Sequence, residues 1–136
     1  MPLIFSLLLA VNIISPNLSQ SIVSTIPTPQ DVWMQALAQR ESGGDDKIKV
    51  LDVDGYYSYG RYNYHMSTWL KYSKLFGTTK ENIYDGTLQD AVTRYILDTK
   101  GSSDWYNSTK YIENVLKLGP YPSEVSQPLD SSVAFH

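Results

Sequence analysis

One carboxylate in this chain stands where proton chemistry is favoured: Glu41, in the string Arg40-Glu41-Ser42-Gly43-Gly44. The string closes a segment whose periodicity predicts a helix, so Glu41 falls in the last turn. A carboxyl at the C-terminal end of a buried helix loses hydration and faces the negative end of the helix dipole. Both effects favour the protonated form, which a general acid for glycosidic cleavage requires. The plainer alternative is a solvated helix-end residue, or one paired with Arg40. A second candidate string is Ser58-Tyr59-Gly60-Arg61-Tyr62-Asn63-Tyr64. There Gly60 permits close backbone approach, and Ser58 and Asn63 offer hydrogen bonds to a polar ligand or to the acid. An aromatic hairpin is the structural alternative. A third is Trp105-Tyr106-Asn107, with Asn107 either an N-cap for Ser108 onward or a ligand contact. Lastly, Asp52-Val53-Asp54-Gly55 echoes a calcium loop but lacks the alternating ligands and distal Glu of an EF-hand. We read it as a turn and expect no metal. Asp54 or Asp52 is also the candidate second carboxylate for two-carboxylate hydrolysis opposite Glu41.

Four helices must position these groups. Thr28 is the predicted N-cap of the first, with Pro29 at N1, Asp31 at N3 and Gly43-Gly44 as the stop. Trp33, Ala36, Leu37 and Arg40 share one of its faces. Asp45 to Tyr64 reads as irregular or strand-like, with an Asp-Gly turn at 54–55. A second helix is predicted from a cap at Ser67 to Phe76, ended by Gly77. The third starts near Asp85 or Thr87, with Leu88, Ala91, Val92, Tyr95 and Ile96 at inward spacing and Gly101 beyond its end. The fourth runs from Ser108 to Leu118 with Tyr111, Ile112, Val115 and Leu116 inward. The fold class expected is mainly α, a small helical domain with a short irregular or β-hairpin segment beside the helix that carries Glu41.

Composition narrows the function classes. The chain has 136 residues, 11 Lys and Arg against 14 Asp and Glu, and a formal net charge of −3. That balance argues against a nucleic-acid module, which normally carries a basic stripe. Cysteine is absent, so disulfides, thiolate catalysis and cysteine zinc sites are excluded. There are 11 tyrosines and 3 tryptophans, rings that commonly line sugar or interface clefts. From Met1 to Gln30 no side chain is charged, and Leu3 to Ile14 is almost wholly apolar. That run is short for a bilayer span of about 20 residues and fits the apolar region of a secretory signal, or a membrane tether. The expected organisation is a signal or anchor segment with linker at 1–27, the folded domain at 28–118, and a flexible tail at 119–136.

Taken together, the motifs resemble one family. Glu-Ser-Gly-Gly at a helix end, Ser-x-Gly-x-x-Asn seventeen residues after the Glu, and Tyr-Asn before a late helix are similar to the soluble lytic transglycosylases of the lysozyme-like superfamily. The resemblance runs from about Val32 to Leu118. It implies a lysozyme-like fold, Glu41 as sole acid/base, Ser42 as its neighbour, and Ser58, Gly60 and Asn63 as the binding turn. The family has Gln where Asn63 stands, one methylene longer. It also implies that Tyr106, followed by Asn107, hydrogen-bonds the catalytic Glu. The substrate implied is the peptidoglycan glycan strand, with no cofactor, no nucleic acid and a monomeric, exported protein of the cell envelope, periplasm or exterior.

Overall fold

The computed structural model describes residues 26–123. Of the signal or anchor segment and linker expected at 1–27, residues 1–25 lie outside the described residues, as does most of the expected tail, 124–136. Helix α1 (Pro29–Ser42) begins as its sequence demands. The Asp31 amide donates to the Thr28 hydroxyl at 3.1 Å, and the Thr28 amide donates back to the Asp31 carboxylate at 2.8 Å. Such a cap stabilises a helix by about 1 kcal/mol. Gly43, at φ 68°, turns the chain out of the helix in the left-handed region.

A three-stranded antiparallel meander follows, β1 (Lys49–Leu51), β2 (Tyr57–Tyr59) and β3 (Tyr64–His65) in sequential order. Leu51 pairs with Tyr57 across the Asp52–Tyr56 turn, and Ser58 pairs with His65. Helix α2 (Met66–Ser73) starts directly from β3, so no Ser67 cap forms. Its N-cap residue is His65, whose ring turns to Asp52. A 3-10 turn over Lys74–Phe76 carries the chain to Gly77, the predicted stop.

Helix α3 (Gly86–Lys100) is capped by Asp85, which accepts from the Leu88 amide at 3.1 Å. Its buried face is shifted from the apolar stripe. Val92 and Ile96 are buried as expected, but Gln89, Thr93 and Leu97 join them while Tyr95 is exposed. Polar Gln89 and Thr93 are admitted because each finds partners there. Thr93 and the Tyr64 hydroxyl share a 2.7 Å hydrogen bond, and burial pushes the Tyr64 phenol up.

Helix α4 (Tyr106–Asn114) starts two residues earlier than predicted and ends earlier too. A 3-10 turn over Ser103–Trp105 leads into it, and the buried Trp105 indole donates to the Tyr62 carbonyl at 3.0 Å. That anchor, rather than an Asn107 cap, sets the start. Ser108, Thr109 and Ile112 face inward, while Val115 and Leu116 are exposed.

The core gathers Trp33, Leu37, Trp69, Val92, Ile96 and Ile112 with Tyr62 and Tyr64. Full burial of each large apolar side chain stabilises by about 1.5–3 kcal/mol. Residues 119–123 are part of this body rather than of a tail. Trp33 donates from its indole to the Gly119 carbonyl at 3.1 Å, and the Tyr121 ring meets Trp33 edge-on at 5.4 Å. Among the described residues no helix is long and apolar enough to cross a membrane. The fold is therefore mainly helical with one small sheet, as expected of its class.

Truncating Tyr121 should thus destabilise a domain that a detachable tail would leave untouched. We expect Tyr121→Ala to cost about 1–3 kcal/mol, on the scale of partial aromatic truncation, in urea unfolding. Unfolding curves identical to the wild type would mean that 119–123 contribute nothing to the body.

Candidate active site

Glu41 lies in the last turn of α1, half-buried, and its side chain is held from two directions. The Ser108 hydroxyl, from the first turn of α4, donates to Oε1 at 2.5 Å. The Asn63 amide donates to the Glu41 carbonyl at 2.5 Å and lies 3.4 Å from Oε2. Arg40 does not pair with it. The Arg40 guanidinium stacks over the Tyr111 ring at 4.3 Å, a cation–π contact. The plain salt-bridged reading of Glu41 is therefore replaced by a carboxylate oriented by neutral donors.

Asn63 reaches Glu41 because of its backbone. It sits at φ 52°, in the left-handed region, where Asn is tolerated better than longer side chains. The shorter amide is thus brought to the acid by the turn itself. The turn in its place needs Gly60, at φ 72°. A Cβ on Gly60 would strike the Gln89 amide nitrogen and approach the Ile83 carbonyl to 3.0 Å. The close approach predicted for this glycine is real, but it is to Gln89 and not to a ligand. Gly60 does not line the cleft beside Glu41.

Ser42 likewise faces away. Its hydroxyl donates to the Arg61 carbonyl at 2.7 Å and accepts from the Asp45 amide at 3.1 Å, tying the helix end to the turn. Behind the turn, the Arg61 guanidinium binds Asp46 at 2.7 Å and Asp90 at 2.8 Å. Tyr62 donates to Asp90 at 2.6 Å. Hydrogen bonding to Asp46 holds the Arg61 guanidinium well above its ordinary value, so it is a fixed cation.

The cleft in front of Glu41 is open, with a volume of about 530 Å³. Asp52, Asp54, Ser58, Asn63, His65, Asp104 and Asn107 line it together with Glu41, and no Lys or Arg does. Asp52 accepts from the buried Ser58 hydroxyl and lies 2.9 Å from His65 Nε2. The Ser58 hydroxyl, partly offset by desolvation, holds the Asp52 carboxyl below its ordinary value. Asp54 accepts from the Tyr56 amide at 3.0 Å, closing the predicted turn. Asp52, Asp54 and His65 bring one donor atom each within 4.8 Å of one another, the residues here that could hold a cation.

Tyr106 is the residue that the structure moves out of its expected role. It is 63% exposed, with the Lys110 amine 5.6 Å over its ring. As the first residue of α4 it points along the surface, and the two-residue step to Ser108, little more than half a helical turn, puts that hydroxyl on the side facing α1. The hydroxyl on Glu41 is therefore that of Ser108. Sequence reasoning missed Ser108, His65 and Asp104. Ser108 was legible only as one of several polar residues at a helix start, and His65 as a lone histidine at a strand end.

Comparison with protein-family models, with curated proteins and with solved structures finds no match. The geometry of the cleft is what the functional reading rests on.

The Asp52 assignment has a pH signature. Its lowered value means that the Ser58 hydrogen bond to the ionised carboxylate stabilises the fold fully above about pH 4, and that this contribution fades as pH falls through the folded-state value. In Ser58→Ala the Asp52 carboxyl should titrate closer to 3.8, its ordinary value. Carbon-detected NMR titration of the Asp52 carboxyl measures both midpoints, and equal midpoints would remove the Ser58 hydroxyl as the cause.

Proposed function

We propose that this chain is a peptidoglycan-cleaving enzyme with a lysozyme-like fold, of the lytic transglycosylase type, using Glu41 as its one acid/base. The observation that carries this reading is Glu41 itself, presented at a helix end into an open cleft and oriented by Ser108 and Asn63. The fold class, mainly helical with a small sheet beside that helix, is compatible with it.

The reaction needs few groups. Protonated Glu41 donates to the glycosidic oxygen between N-acetylmuramic acid and N-acetylglucosamine, and the C1–O bond breaks. The substrate's own N-acetyl carbonyl oxygen bonds to C1 as the leaving sugar departs. Glu41, now a carboxylate, takes the proton from the C6 hydroxyl, and O6 displaces the acetamido oxygen to close a 1,6-anhydro ring. Glu41 ends protonated again. Ser108 and Asn63 keep the carboxylate aimed through both steps, which is the positioning that such a mechanism depends on. Tyr106 takes no part in it.

A second reading is favoured by a specific observation. Asp52 is held ionised by Ser58 and His65 on the same cleft as Glu41. A carboxylate there could activate water, giving hydrolysis with a reducing-end product. Export of the protein to the envelope or exterior belongs to the same proposal, with the apolar N-terminal run directing or tethering it. The alternative of a wall-binding module without turnover separates from both by one assay.

Digestion of purified sacculi, with product ends read by mass spectrometry, tests the set. We expect anhydro ends from the wild type and none from Glu41→Gln, a loss beyond the ~10²–10⁴-fold of general acid–base catalysis. Ser108→Ala should slow turnover by about 10- to 100-fold, the scale of a hydrogen bond to a charged group. Asp52→Asn should retain substantial activity. Reducing ends, with complete loss in Asp52→Asn, would replace transglycosylation by hydrolysis; turnover by Glu41→Gln would sink both.

A further inference from the structure

A second hollow adjoins the cleft, with a volume of about 470 Å³, and Asp54 and His65 belong to the walls of both. Beyond those two residues three tyrosines, Tyr56, Tyr57 and Tyr59, make up the largest part of its lining, with Gly55, Met66 and Ser67 beside them. Tyr56 is 69% exposed and Tyr57 42%, so core packing does not account for rings at these positions. Tyr57 and Tyr59 alternate along β2 and therefore share one face of the sheet, their rings 6.4 Å apart. The Lys49 amine props Tyr57 at 4.2 Å, and the His65 ring lies 6.4 Å from Tyr56.

Each tyrosine presents an apolar face and a hydroxyl tip. That combination suits a pyranose, whose C–H face stacks on a ring while its hydroxyls meet polar neighbours. Here the polar neighbours are Asp54 and His65, already shared with the cleft. A polymer bound past Glu41 that leaves the cleft between those two residues runs over the tyrosines. We infer that this hollow holds further saccharide units of the glycan strand, extending the binding path beyond the cleft. The inference rests on the reading of the cleft as a glycan-cleaving site. The continuity of the two hollows through Asp54 and His65 is what selects the strand as occupant.

Calorimetric titration of the full-length chain carrying Glu41→Gln tests it, with bare N-acetylglucosamine oligomers from the disaccharide to the hexasaccharide as probes. Affinity should rise with length. Adding Tyr56→Ala and Tyr57→Ala should weaken the hexasaccharide on the order of tenfold, as for loss of a buried aromatic anchor, and change the disaccharide little. Tyr56→Phe, which keeps the ring, should preserve the gain. An equal loss at every length, or none, would overturn the inference. Sacculus digestion by the chain with Glu41 intact keeps the two readings apart. Length-dependent, tyrosine-sensitive binding without any cleavage would sink the catalytic reading alone. Cleavage with tyrosine-insensitive binding would sink this inference alone.

Discussion

A single buried amide organises the side of the molecule that carries the cleft. Gln89 of α3 has no exposed surface, and its side chain is bonded entirely to backbone. Its oxygen accepts from the Tyr62 amide at 3.0 Å, and its nitrogen donates to the Tyr59 carbonyl at 3.1 Å and to the Ile83 carbonyl. A primary amide left unpaired in a core costs several kcal/mol, and each buried partner left behind would add its own penalty. The turn between β2 and β3 is thus locked to α3 from both of its ends. Gly60 is the residue whose missing side chain lets Gln89 come that close.

From that lock the rest follows by contact. With Tyr59 and Tyr62 fixed, Asn63 enters the left-handed region and meets Glu41. The Trp105 indole grips the Tyr62 carbonyl, which places the start of α4 and with it Ser108. Ser42 closes the circuit by bonding Arg61. Two separate elements, the turn through Asn63 and α4 through Ser108, therefore reach one carboxylate. The ionic cluster of Arg61, Asp46 and Asp90 braces the reverse side, but its members are partly exposed. Solvent screening keeps the contribution of such pairs to stability modest.

The cleft's charge is its other constraint. Glu41, Asp52, Asp54 and Asp104 line it without a Lys or Arg among them. Like-charge repulsion makes such a surface a poor match for polyanions. Ser58, buried beneath Asp52, stabilises one of these carboxylates in its ionised form, so the like-charged groups are not electrostatically equivalent.

The amino-acid sequence alone determined what local rules govern. The Thr28-Pro29-x-Asp31 cap, the glycine stops at Gly43 and Gly77, the Asp54-Gly55 turn and the placement of Glu41 in a last helical turn all depend on neighbours a few residues apart. Those rules were enough for a mainly helical domain and for Glu41, Asn63, Asp52 and Asp54 as residues of interest. Tertiary structure alone decided which hydroxyl meets the acid. Tyr106 and Ser108 are two residues apart, so they point to different sides of α4, and only the anchoring of Trp105 sets which side faces α1. It likewise decided that Gln89 and Thr93 belong inside, because a polar side chain is buried when distant partners satisfy it, and periodicity of apolar residues cannot register those partners.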